Sequence, residues 1–220
     1  MLCGACFLEV VCNEPVDLVL ILDMAGSSLD NDDLDRYKSF VTAIIRNFEL
    51  GSDATQIGLI VAGDGTAANI FFLNTYIGGE ATMEAQVNAL SFLGGELDVS
   101  AAVALARDNQ FTQANGDRDS VVNVIVTIVD QMSTLNSADV RTEADAAQAN
   151  GIVMFGIGVG TQYSLSNSIE TTELRSLSSE PREMNVNYYP VTSYANLDGI
   201  RRSVVDSVCE AEAPPTVGTR

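Results

Sequence analysis

Three stretches of this chain are almost continuously apolar: 16–23 (VDLVLILD), 121–129 (VVNVIVTIV) and 152–159 (IVMFGIGV). Such runs read as strands buried on both faces, the mark of a central parallel sheet covered by helices on each side. The segments between them alternate accordingly. Residues 34, 37, 41, 44, 45 and 48 carry Leu, Tyr, Val, Ile, Ile and Phe at helical spacing. Asp30 to Asp33 crowd that helix's start, where acids suit the dipole, and Gly51 is placed to stop it. Residues 56–62 and 69–73 read as strands joined by the Gly63-Asp64-Gly65 turn, hence a hairpin and one antiparallel edge. Helices are expected over 81–92, 99–111, 138–150, part of 165–177 and 194–208, and a short last strand over 188–191. Leu197, Ile200, Val204 and Val208 form the apolar face of the last helix. The sum is an α/β, doubly wound, Rossmann-like, mostly parallel six-stranded sheet with one antiparallel edge strand and helices on both faces.

In a sheet of this kind ligands sit beyond the carboxyl ends of the strands. The first run ends in Asp23, and the second is followed by Asp130. Both carboxylates therefore arrive at the same edge. Two roles are open to them: cation ligands, or caps that hold the following loops.

Composition narrows the chemistry. The 220 residues contain no histidine, so Ser–His–Asp and Cys–His catalysis and His-ligated zinc are excluded. No serine stands in a Gly-x-Ser-x-Gly elbow, and the "GIGVG" run lacks the third glycine of a dinucleotide loop. A non-enzyme is expected. The net charge of −19, with Lys38 the single lysine, argues against nucleic acid, whose phosphates are met by Lys and Arg. No stretch reaches the ~18 consecutive apolar residues of a membrane helix.

The four cysteines, Cys3, Cys6, Cys12 and Cys209, lie only near the ends. Cys-x-x-Cys with two distant single cysteines is a poor zinc pattern. A bridge joining the ends of one domain is the simpler use, and it implies an oxidising compartment. Cys3 and Cys6 are open to pairing with each other or with another chain, or belong to a leader remnant. Residues 1–15 read as an N-terminal segment without a complete signal peptide, 16–209 as the domain, and 210–220 as a polar linker or tail. The chain reads as one module of a longer parent with further domains.

The ordered motifs resemble the von Willebrand factor type A domain. The resemblance runs from about Val16 to Val208 and rests on "DLVLILDMAGS", "YKSFVTAIIRNFELGSDATQIGLI", "FFLNTY", "FLGGELDVSAAVALA", "VIVTIVDQMS" and "GIVMFGIGVG". The family's metal-ion-dependent adhesion site uses Asp-x-Ser-x-Ser, a Thr and an Asp. Asp23, Ser27 and Asp130 match three of these positions; Ala25 stands where the first Ser belongs and Leu97 where the Thr belongs. Alanine and leucine donate no oxygen to magnesium, which wants near-octahedral oxygen ligation. The resemblance therefore implies a degenerate site with weak or absent binding of a divalent cation, Mg or Ca, and Asp98 or Glu96 are the nearby substitute ligands. The family's layout brings both chain ends to the face opposite this edge, which implies a Cys12–Cys209 disulfide. It also implies a secreted, non-catalytic module for adhesion or matrix assembly, with an extracellular matrix protein such as collagen as partner. The competing expectation is an acidic structural matrix protein that holds calcium or mineral through scattered carboxylates.

Overall fold

The computed structural model describes residues 11–26, 30–164 and 168–212. Six strands form one sheet in the order β3-β2-β1-β4-β5-β6: β1 Val16–Asp23, β2 Gln56–Gly63, β3 Thr66–Phe71, β4 Val122–Val129, β5 Val153–Val159 and β6 Tyr188–Val191. All neighbours pair in parallel except β2 and β3. The crossover helices are α1 Asn31–Arg46, α2 Glu80–Ala89, α3 Val99–Leu105, α4 Val140–Ala149, α5 Ile169–Ser176 and α6 Arg201–Cys209. Every residue of β1 and β2 is buried. The sheet separates two apolar cores. One holds Leu18, Leu20, Tyr37, Ile44 and Val204 under α1 and α6; the other holds Val19, Ile21, Ala102, Ala144 and Leu174 under α3, α4 and α5. Among the described residues no helix is long and apolar enough to cross a membrane.

Local chemistry accounts for the places where elements start and stop. Asp30 accepts the Asp33 N–H at 2.8 Å and so caps α1. The helix ends at Arg46, before Gly51, because Asn47 to Glu49 are drawn into pairing with Cys12: the Cys12 N–H reaches Asn47 O at 2.7 Å and the Glu49 N–H reaches Cys12 O at 2.9 Å. The β2–β3 hairpin turns on Asp64 and Gly65 alone, both at positive φ, the two-residue turn whose twist suits a hairpin. That tight turn starts β3 three residues earlier than the apolar pattern implies. The expected helix over 99–111 is α only to Leu105, and Ala106–Gln110 widens into a π turn. Gln110 is there tucked against the sheet, donating to Phe71 O at 2.9 Å and to Asn69 at 2.8 Å. It lies so close over Gly58 that a Cβ at 58 would sit 2.4 Å from its amide oxygen.

The last helix also divides. Tyr194–Ile200 is 3-10 and α6 begins at Arg201. Leu197, Val204 and Val208 are buried as expected, Val205 joins them, and Ile200 is only partly covered. Ser168 caps α5, which is confined to Ile169–Ser176.

At the end of the sheet where β1 begins, Asp17 is fully buried. Arg118 answers it three times, with its backbone N–H at 2.9 Å, Nε at 2.9 Å and Nη2 at 2.7 Å. The same guanidinium donates to Ser52 O and Ala54 O, so one side chain ties the entries of β1, β2 and β4. Removing one partner of a buried pair leaves the other charge uncompensated. Arg118→Met should therefore cost about 3–5 kcal/mol, whereas Asp17→Leu combined with Arg118→Met should recover much of it. Urea denaturation of the two variants measures this.

Near the same end Cys12 and Cys209 are joined in a disulfide, with Cα atoms 5.7 Å apart and a sequence separation of 197. Cys3 and Cys6 lie outside the described residues. Closing so long a loop is worth about 5 kcal/mol in the chain-entropy model. Non-reducing peptide mapping should recover Cys12 linked to Cys209, and reduction should lower the unfolding free energy by up to that amount. Recovery of Cys209 free, or bonded to Cys3 or Cys6, would overturn the pairing.

Candidate functional site

β1 and β4 are hydrogen-bonded neighbours running the same way, with Leu22 opposite Ile128. Asp23 and Asp130 consequently emerge side by side at the carboxyl edge. Asp23 is only 3% exposed. Both its oxygens are taken by backbone: Oδ1 accepts the Ala25 N–H at 2.9 Å and Oδ2 the Asp130 N–H at 3.3 Å. Asp130 is held in turn. Its Oδ2 accepts the Tyr194 hydroxyl at 2.9 Å, and its carbonyl accepts Gln162 Nε2 at 2.7 Å. Tyr194 is steadied by Tyr37, whose ring centre lies 5.4 Å away and whose hydroxyl reaches Ile128 O at 3.4 Å.

Burial, then the neighbouring Asp130 charge, raises the Asp23 carboxyl to about 8. Burial and the neighbouring charge thus favour the protonated form of Asp23. Burial and the same carboxylates push the Tyr37 and Tyr194 hydroxyls above the ordinary tyrosine range, so both stay neutral donors.

The loop after β1 is pinned against the loop before α3. Leu93 N–H donates to Met24 O at 2.8 Å, Asp64 N–H to Gly94 O at 2.7 Å and Gly65 N–H to Glu96 O at 2.8 Å. Gly95 sits at φ +72, and a Cβ there would lie 2.7 Å from Asp64 Cα, so this approach requires glycine. Leu93 is left 48% exposed on the rim beside Ala25.

The positions expected to have lost ligands are filled by packing. Ala25 and Leu97, 2% and 0% exposed, belong to one apolar cluster with Ile21, Ala62 and Val129. Leu97 contributes its backbone instead: its carbonyl accepts the N–H groups of Thr134 and Leu135, which clamps the loop after β4. Asp98 is engaged as the cap of α3. It accepts from Ala101 N at 2.9 Å, Ser100 Oγ at 2.7 Å and Asn136 Nδ2 at 2.7 Å. Burial opposes its ionisation, but those bonds hold its carboxyl below the usual range. Glu96 is exposed. Ser27 lies outside the described residues.

The described residues do not fit a magnesium ion. Two carboxylates have three of their four oxygens satisfied by protein donors, and Ala25 and Leu97 add none. Among the described residues no group of three or more His, Cys, Asp or Glu could hold a metal. Asp23 and Asp130 are brought together as their strand positions imply; Asp98 is committed elsewhere. Gln162 and Tyr194 are additions, and Tyr37, which periodicity marked only as part of an apolar helix face, joins them at the site. For Tyr194 a signal existed: it follows β6, whose carboxyl end reaches the same edge.

The chain belongs to the von Willebrand factor type A domain family, whose family model matches residues 17–203. It is 29% identical over 202 residues to the collagen alpha-1(XXI) chain of Homo sapiens, covering 92% of this chain and 19% of that one. It is 27% identical over 202 residues to von Willebrand factor A domain-containing protein 2 of Xenopus laevis, covering 92% and 23%. Matrilin-1 of Homo sapiens is 26% identical over 198 residues, covering 89% and 37%. The chain thus spans well under half the length of these relatives. Among solved structures, proximal thread matrix protein 1 from the mussel byssus shares the fold with a TM-score of 0.78 at 20% identity, over 90% of this chain and 49% of that one. Another structure of that mussel protein has zinc in its metal-ion-dependent adhesion site.

If Ala25, Leu97 and the Tyr194 hydroxyl together keep a cation out, reversing them should admit one. The native chain should bind magnesium at best in the ~millimolar range, and the triple variant Ala25→Ser, Leu97→Thr, Tyr194→Phe about tenfold or more tightly. Calorimetric titration at neutral pH, with circular dichroism to confirm folding, checks this. Tight binding by the native chain would overturn the account.

Proposed function

We propose that residues 16–209 form a non-catalytic, protein-binding adhesion module of the extracellular matrix that engages its partner without a bridging cation. The observation that carries this reading is the closed carboxyl edge. Asp23, Asp130 and Tyr194 satisfy one another, and apolar Ala25 and Leu97 occupy the ligand positions. A cation that bridges to a partner must keep a coordination position open. Here the Tyr194 hydroxyl already donates to Asp130 Oδ2, an oxygen the cation itself would need. What the edge presents instead is shape and an exposed leucine, Leu93.

Relatives that include a collagen chain and a matrilin support placing the module among matrix proteins. The Cys12–Cys209 disulfide fits an oxidising, extracellular setting. Collagen is the first partner to test. Residues 1–15 are read as an N-terminal segment with cysteines and 210–220 as a linker or tail.

The chain, immobilised, should retain fibrillar collagen equally with and without chelator, and Leu93→Asp should weaken retention about tenfold or more by placing a charge on the rim. Retention abolished by chelator would overturn the cation-free reading. Many weak calcium sites without collagen retention would favour the acidic, mineral-holding role that the net charge of −19 also allows.

A further inference from the structure

Away from the carboxyl edge, α4 and α5 lie side by side and leave a cleft between them. One end of it, about 170 Å³, is lined by Arg141 on α4, Arg175 on α5 and Arg182 just beyond α5. The side chain of Arg182 is 16% exposed and held in place, with Nε donating to Ser178 O at 3.1 Å. Its guanidinium lies 3.4 Å from both Asp145 and Glu180. Arg141 reaches the same Asp145 at 3.4 Å. Arg175 has no carboxylate partner among the described residues; its guanidinium stands 5.9 Å from the centre of the Tyr188 ring.

Arg141 and Arg182 share one half-exposed aspartate, and Arg182 also reaches one exposed glutamate. The long contact of exposed Arg141 holds little energy, so Arg141 and Arg175 remain available beside the fixed Arg182. Elsewhere Arg118 is committed to buried Asp17, and Arg107 to Asp108 and Glu143. In a chain of net charge −19, Arg141 and Arg175 are lightly compensated and stand beside Arg182, which the Ser178 carbonyl holds in place. Thr172 and Ser176 also line the pocket, but their hydroxyls donate to the carbonyls of Ser168 and Thr172. The guanidinium N–H groups are thus the donors left for a ligand.

The other end of the cleft, about 280 Å³, is apolar, with Met132, Val140 and Ile169 along it. Arg141, Thr172 and Ser176 line both ends, so the two are continuous. Ile169 is 70% exposed, a large side chain without a cover in the described structure. Glu173 is the acid in this wall, and its carboxylate is turned to the Ser133 N–H at 2.7 Å.

We propose that the α4–α5 cleft binds an acidic peptide segment of a partner protein. An apolar side chain of the segment lies along Met132, Val140 and Ile169, and an adjacent carboxylate sits among Arg141, Arg175 and Arg182. The planar fork of a guanidinium matches a carboxylate with two parallel bonds. Charge complementarity here is local. The surrounding −19 field repels a long polyanion such as a sulfated glycan, which would also leave the apolar half of the cleft uncovered. A short segment with one apolar and one or two acidic residues meets both halves. The arginines lie on α4, α5 and the turn after α5, whereas Met132 belongs to the loop after β4, so the apolar end adjoins the carboxyl edge.

The test is a titration of the 15N-labelled chain with a capped peptide containing Leu-Asp-Glu between glycines. Amide shifts should saturate and cluster on 140–149 and 169–182, and added salt should weaken binding. Arg141→Gln with Arg175→Gln, both at exposed positions, should weaken binding about tenfold or more while leaving the rest of the spectrum in place. A peptide with Gly for Leu should also bind more weakly. The proposal is overturned by shifts that do not saturate or that map elsewhere, by an unchanged affinity in the double variant, or by equal binding of the glycine peptide. A sulfated disaccharide that gives the same shifts at equal or greater affinity overturns the choice of a peptide.

Discussion

β1 is buried along its whole length and carries a carboxylate at each end, Asp17 and Asp23. Putting two such groups into a sheet's interior is unfavourable unless each is answered by donors or a proton. The rest of the structure is arranged around those two answers. At the entry of the strand the answer is a full charge, Arg118, which also fastens the segments leading into β2 and β4. At its exit no basic side chain arrives among the described residues. The answer there is two backbone N–H groups, with a carboxyl whose pKa burial raises, and Asp130 is then answered by Tyr194. The first end is a fastening. The second is a small polar network under a loop, at the edge where folds of this kind meet ligands.

That difference explains what could be read from residue pattern alone. Buried parallel strands announce themselves because they are apolar on both faces, and β1, β4 and β5 were legible to within a residue. Asp23 and Asp130 were legible as a pair because strand polarity alone carries them to one edge. The hairpin turn at 63–65 was legible too, though not the start of β3 at Thr66; the widening at Ala106–Gln110 and the 3-10 stretch Tyr194–Ile200 were not, since periodicity reports which face is apolar and not where the helical hydrogen bonds change partner. Gln110 shows the cause: a tertiary bond to Phe71 O outweighs continuation of the helix. The pairing of Cys12 with Cys209 was implied only by likeness to a family, because the spacing of four cysteines leaves several pairings open.

The candidate site was half legible for a related reason. The loss of oxygen at Ala25 and Leu97 is visible in the residue types. What replaced it is not, because Tyr194 comes from a segment more than sixty residues beyond Asp130 in the chain. Nor does residue type show that Asp98, an acid beside a missing ligand, is fully occupied as a helix cap. A carboxylate near a site becomes a ligand only if its local backbone does not claim it first.

Charge is also unevenly distributed over this fold. The acids are spread over loops and helix starts, whereas three arginines stand together at one flank, between α4 and α5. A surface of net charge −19 disfavours association with copies of itself and with most other acidic chains. On the reading proposed above, a basic cleft in such a surface discriminates for that reason: it would reward an acidic group only at one place and one orientation, and long-range repulsion elsewhere would reject anions that cannot reach it. On the same reading the carboxyl edge would offer shape and an apolar rim, and the α4–α5 flank short-range ion pairing against an opposing field. A module with two such contact faces of unlike chemistry would join two partners by different physics.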